Sequence, residues 1–142
     1  MTARTTTPVR MTEMYSSKKL RTEVRAMLQA ALQVSEISNF PVVSNIDKAG
    51  YDRFIQFSVS HLATIDERES ISLEVNVICP MSESDTGEYI ADVFYDSIDR
   101  RVISTEAFSF CAYKDTRNRI DGTDPHTYRE RLTYSIYLYE RT

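Results

Sequence analysis

The sequence predicts an α+β sandwich, with two helices packed on one face of a mainly antiparallel four- to five-stranded sheet, in the order α-β-β-β-α-β-β. Three observations carry this prediction. Residues 54 to 61 and 69 to 79 alternate apolar and polar with a period of two, the mark of strands with one buried and one wet face. Two other stretches, near residues 20 to 31 and 90 to 98, space their apolar residues as helices do. The length of 142 residues suits one domain that can bury a core without staples.

In chain order, Met1 to about Tyr15 is Thr-rich and without periodicity, so residues 1–15 are expected to form a flexible arm ahead of a single domain at 16–142. Ser16 or Ser17 is expected to cap the first helix, because a hydroxyl satisfies an orphan amide. Leu20, Val24, Met27, Leu28 and Ala31 make its apolar stripe, and it should stop near Val34 or Ser35. Pro41-Val42-Val43 suits a short edge strand, and Asn45 to Asp52 a connecting loop around Gly50.

The two alternating runs then form a hairpin. Ile71, Leu73, Val75, Val77 and Cys79 share one side, opposite Ser70, Ser72, Glu74 and Asn76. The tip, Thr64 to Arg68, is charged and expected to face solvent. Asp85 and Glu88 have capping-box spacing at the start of a helix over about 86–101, with Arg100 and Arg101 suited to its end. Ala107 to Tyr113 reads as a strand, Lys114 to Thr127 as a long polar loop, and Tyr128 to Tyr139 as the closing strand.

Composition limits the function. The net charge of −4 and pI near 5.2 argue against a dedicated nucleic-acid binder. No apolar run approaches the ~18 residues of a membrane span, and the Thr-rich start has no apolar core like that of a signal peptide. Two distant cysteines, Cys79 and Cys111, make no disulfide framework, which favours the cytoplasm. His61 and His126 are the only histidines, and with those cysteines they form no zinc spacing. No nucleophile elbow is present, and three glycines are too few for a phosphate-cradling loop. No catalytic, metal or cofactor site is therefore expected.

The remaining candidate is a contact surface. Lys114, Arg117, Arg119, Arg129 and Arg131 cluster in sequence, with His126 in the same loop and Tyr137 and Tyr139 on the last strand. Interleaved Asp115, Asp121, Asp124 and Glu130 cancel much of the positive field. Tyrosine and arginine are common interface anchors, so Arg117, Arg119, His126, Arg129, Arg131, Tyr137 and Tyr139 are expected to meet a subunit or partner. On this basis Arg117→Ala should leave folding intact and act on assembly.

The order of elements is carried by Leu20-Arg21-Thr22-Glu23-Val24-Arg25-Ala26-Met27-Leu28, Ile71-Ser72-Leu73-Glu74-Val75-Asn76-Val77, Ile90-Ala91-Asp92-Val93-Phe94 and the arginine-bearing strand Arg129 to Tyr139. Over residues 17 to 140 this order resembles the tail terminator, or tail-completion, proteins of tailed bacteriophages. The resemblance implies a non-enzymatic virion protein, assembled in the host cytoplasm. It implies a ring, commonly hexameric, at the head-proximal end of the tail tube, which ends tube polymerisation. The implied partners are sister copies, the tail tube protein and a neck or connector protein, with DNA crossing the lumen without specific binding and no membrane involved. A head-tail connector or neck protein is the alternative in the same class. A small α+β ligand-binding module is the alternative in another.

Overall fold

A computed structural model describes the backbone of residues 3–44, 51–65, 68–121 and 124–140, and side chains within 18–44, 51–64, 68–121 and 124–139. The elements are α1 (Ala3–Val34), β1 (Val42–Ser44), β2 (Phe54–Ile65), β3 (Arg68–Pro80), a 3-10 turn at Met81–Glu83, α2 (Ser84–Ser97), β4 (Val102–Ser104), β5 (Phe108–Arg119) and β6 (Thr127–Glu140). The class is α+β, as the periodicities predict.

The sheet has six strands rather than four or five, in the order β1-β2-β3-β6-β5-β4. β1 runs parallel to β2, and every other pairing is antiparallel. The extra strand, β4, is three residues long and too short to show a period. Its Ile103 packs against the core between the exposed Val102 and Ser104, an alternation too brief to read from sequence.

α1 buries Leu20, Val24, Met27, Leu28, Ala31 and Leu32, the expected stripe. Its end falls where the sequence places it. Ser35 Oγ donates to the Leu32 carbonyl at 2.5 Å, and Glu36 adopts φ 64°, a left-handed geometry that stops the helix. Its beginning differs. The helix runs back to Ala3, so neither Ser16 nor Ser17 caps its start, and the backbone of the expected arm is helical from Ala3 onward. Extending an existing helix costs far less than nucleating one, and residues such as Arg4, Met11, Glu13 and Met14 are good helix formers. Side chains of 3–17, the loop at 45–50, the hairpin-tip residues 66–67 and residues 122–123 lie outside the described set.

β3 and β6 form the middle of the sheet, paired from Arg68↔Tyr139 to Pro80↔Thr127. Leu73, Val75 and Val77 of β3 are fully buried, as are Leu132, Ile136 and Leu138 of β6. Both helices contact this face. Ser70, Ser72 and Glu74 lie on the partly exposed side as expected, but Asn76 is only 2% exposed. It is covered from its own side, because Arg129 Nε donates to its Oδ1 at 3.1 Å.

α2 is shorter than the predicted 86–101 and lacks the capping box. Glu83 occupies the N-cap position without a side-chain capping bond, its carboxylate being held by Arg53 instead, and Ile98 follows the last turn. The preceding 3-10 turn and strand pairing position this start, since Met81 N donates to the His126 carbonyl at 2.7 Å. Arg100, expected at the helix end, instead takes φ 62° and pairs its amide with Ala112 O. Tyr134 pins the helix to the sheet. Its buried hydroxyl donates to the Phe94 carbonyl at 3.0 Å.

Gly87 marks the closest approach of α2 to the sheet. An added Cβ there would stand 2.9 Å from Cys79 Sγ and 2.9 Å from the Tyr128 ring. Both neighbours are buried, so neither can retreat. Alanine would gain about 1 kcal/mol in helix propensity, but overpacking costs about 1–3 kcal/mol. Gly87→Ala should therefore lower the melting temperature; a rise would show that the contact yields.

Val75 tests the face assignment. It is fully buried on β3 beneath the helices. Val75→Asp would bury an unpaired carboxylate and should cost more than about 3 kcal/mol. A thermal melt within about 2 °C of the wild type would refute the assignment.

Candidate functional site

The seven expected contact residues do not form one surface. A β-bulge decides this. In β5 the register shifts between Lys114 and Thr116, so Asp115 has no partner of its own. An extra residue moves every later side chain to the other face. Before the bulge, Cys111 and Tyr113 sit opposite Tyr137 and Ser135 on the sheet face away from the helices. Beyond it, Arg117 and Arg119 sit opposite Leu132 and Glu130, on the helix side.

On that helix side Arg117 is structural. It donates through Nε to Glu130 and through Nη1 to Asp92 of α2 at 2.5 Å. Glu130 is 6% exposed and accepts a further hydrogen bond from the Tyr128 hydroxyl. Burial is the largest influence on the Arg117 guanidinium and opposes its charge, but the bonds to Glu130 and Asp92 outweigh it and raise its pKa. Burial first, and the Glu130 bond second, push the Tyr128 phenol up. Arg119 stacks over the Tyr128 ring at 5.2 Å. Lys114 reaches α2 as well, with Nζ 3.5 Å from Asp96 and 4.8 Å from the Tyr95 ring centroid.

Cys79 belongs to the same side of the sheet. It is fully buried beneath Gly87, and burial pushes its thiol up to about 11. Its raised value favours the neutral thiol in the fold, so that preference is present below the unfolded thiol range and is lost as pH rises toward 11.

The opposite face carries Arg129, Arg131, Tyr137 and Tyr139, four of the seven. Near the end of the sheet that holds the β2–β3 turn, Tyr113 and Tyr137 lie 5.7 Å apart, and the Arg68 guanidinium stands 4.5 Å above the Tyr137 ring. With Cys111, Ser135 and Tyr139 they line an open depression of about 450 Å³. Tyr113 and Tyr139 are exposed there, at 41% and 50%. Further along the face lies a polar chain in which Arg129 bonds Asn76, and Asn76 bonds Glu74 at 2.9 Å. Arg131 Nε lies 3.5 Å from Glu74 Oε1 and, buried, has no hydrogen-bond partner.

His126 stands apart from both groups. Its amide donates to Asp124 Oδ1 at 2.9 Å, and its carbonyl receives Met81 N. That amide, and then the Thr127 hydroxyl, hold the Asp124 carboxyl below the usual range. At ~3.3 Å per residue, the length of β6 separates His126 from Tyr139 by roughly 40 Å. His61 of β2 is 38% exposed, with Nε2 3.4 Å from the buried Glu69. Among the described residues, no group of three His, Cys, Asp or Glu side chains could hold a metal ion. No helix among them is long and apolar enough to cross a membrane.

Sequence reasoning missed Arg68, Tyr113, Asp92 and Glu130. The signal for Glu130 was present: it lies two before Leu132, on the apolar parity of β6. A carboxylate there needs a buried cation. The signal for Arg68 and Tyr113 was weaker, since their grouping depends on which strands become neighbours.

Arg117 therefore changes its expected behaviour. Arg117→Ala would leave Glu130 buried without its cation, at a cost on the order of 3 kcal/mol, so it should lower stability rather than leave folding intact. A calorimetric melt should fall by roughly 10 °C; an unchanged melt would show that water replaces the guanidinium.

Compared with known proteins, the chain matches no protein-family model and has no significant match among curated sequences.

Proposed function

We propose that this chain is a structural assembly protein of the tail terminator type, which forms a ring of copies at the head-proximal end of a bacteriophage tail tube and joins tail to neck. In this reading the ring is hexameric, ends tube polymerisation and lets DNA through its lumen without binding it specifically. The role is non-enzymatic and belongs to the virion.

One observation carries the reading. A whole face of the central sheet lies away from the helices and presents tyrosines and arginine at its surface: Tyr113, Tyr137, Tyr139 and Arg68. Tyrosine and arginine supply large contact area with a polar tip, which suits burial against a protein partner. The strand edges add to it. Among the described residues, β1 pairs with Ile55 to Phe57 of β2, and β4 with Ser109 to Cys111 of β5. Partly open edges on both sides suit a ring, in which each copy has two neighbours.

Light scattering after size exclusion, and electron microscopy with purified tail tubes, test this. The expected result is a species with the mass of six 16.4 kDa chains, free or seated on tube ends. A chain that stays monomeric at high concentration and ignores tubes would overturn it. Particles lacking the protein discriminate the two virion roles: overlong tubes support termination, whereas unjoined heads and tails of normal length support a connector.

A further inference from the structure

The two helices carry surfaces of opposite charge. On α1, Lys18, Arg21 and Arg25 recur at i, i+3 and i+7, so they share one flank of the helix. With Ser44 of β1 they line a cleft of about 190 Å³. This places the basic flank at the β1 end of the sheet. Among the described residues no acid forms an ion pair with any of the three. Arg25 lies over the Phe57 ring at 5.7 Å, and its Nε is buried without a hydrogen-bond partner. A buried donor left unmet is costly, so the cleft is short of an acceptor.

On α2, Asp85, Glu88, Asp92 and Asp96 recur at i, i+3, i+7 and i+11 and form one exposed ridge. The ridge leans toward β5, where Arg117 meets Asp92 and Lys114 meets Asp96. These pairs leave the acids accessible: the Asp96 side chain is 81% exposed and that of Asp92 58%. β1 and β5 lie at opposite sides of the sheet. The basic cleft, beside β1, and the acidic ridge, beside β5, are thus two different surfaces carried by different helices.

We propose that the acidic ridge of α2 docks into the basic α1–β1 cleft of a second copy of this chain. The two surfaces differ, so the contact is heterologous and propagates from copy to copy until it closes. Charge complementarity selects the partner and speeds the encounter more than it adds affinity. This inference rests on the ring reading and adds which surfaces meet. A nucleic-acid phosphate is the competing anion for the same cleft.

The test uses the full-length chain and two surface variants, Arg21→Glu and Asp96→Arg, each checked by thermal melting for an intact fold. Assembly is followed by sedimentation at low and high salt. In the wild type, raising salt should weaken association, because exposed charges are screened. Each variant alone should associate at least roughly tenfold more weakly. An equimolar mixture of the two should regain assembly, since the reversed cleft of one accepts the reversed ridge of the other. Variants that assemble like the wild type would overturn this docking while leaving the ring intact. A wild type that stays monomeric, alone and with tail tubes, would overturn both. Loss of double-stranded DNA binding by Arg21→Glu with assembly unchanged would assign the cleft to nucleic acid instead.

Discussion

The pairing of β3 with β6 is the constraint on which the rest depends. Each strand has only two faces, and the register from Arg68↔Tyr139 to Pro80↔Thr127 aligns their apolar sides without interruption. A slip by one residue would turn Leu73, Val75 and Val77 to solvent. With the register fixed, both helices have one surface on which to lie. Each buried aliphatic side chain contributes roughly 1.5–3 kcal/mol relative to exposure. The short outer strands β1 and β4 add little to that apolar layer. They matter instead for how much of β2 and β5 stays open.

The same pairing explains a charge in the core. Glu130 stands on the apolar side of β6 because parity puts it there, next to Leu132. The Asp115 bulge then turns Arg117 to the same side, and Tyr128 supplies a donor. A buried ion pair of this kind adds little net stability, yet losing one member is expensive. It does fix which side of β5 faces α2, through the bond to Asp92. The bulge and the carboxylate are in effect one feature: without the bulge, Arg117 would lie with Tyr113 on the other face.

Much of this fold was legible in the residues. The stripe from Leu20 to Ala31 and the alternation from Ile71 to Cys79 have strong periods, and both behave as their patterns require. Failures came where geometry leaves no local trace. β4 is too short to show a period, and the start of α1 was assigned to a serine cap that an upstream helix makes unnecessary. The first part of the supposed long loop, Lys114 to Arg119, is strand, because Thr116, Arg117 and Arg119 find partners on β6 and α2 that no neighbour in sequence reveals. For the contact residues, Tyr137 and Tyr139 keep the expected wet parity, while Arg117 and Arg119 cross sides through one unpaired aspartate.

The outer edge of β2 carries a last consequence. Beyond Phe57 it meets no strand among the described residues, and the stretch includes the exposed Leu62. A straight, bare edge would let stray chains stack on it indefinitely, as in fibrils. The irregularity between His61 and Ala63 spoils that template by bending and twisting the strand locally. That edge is therefore a poorer template for a further strand than an unbroken one of the same length would be.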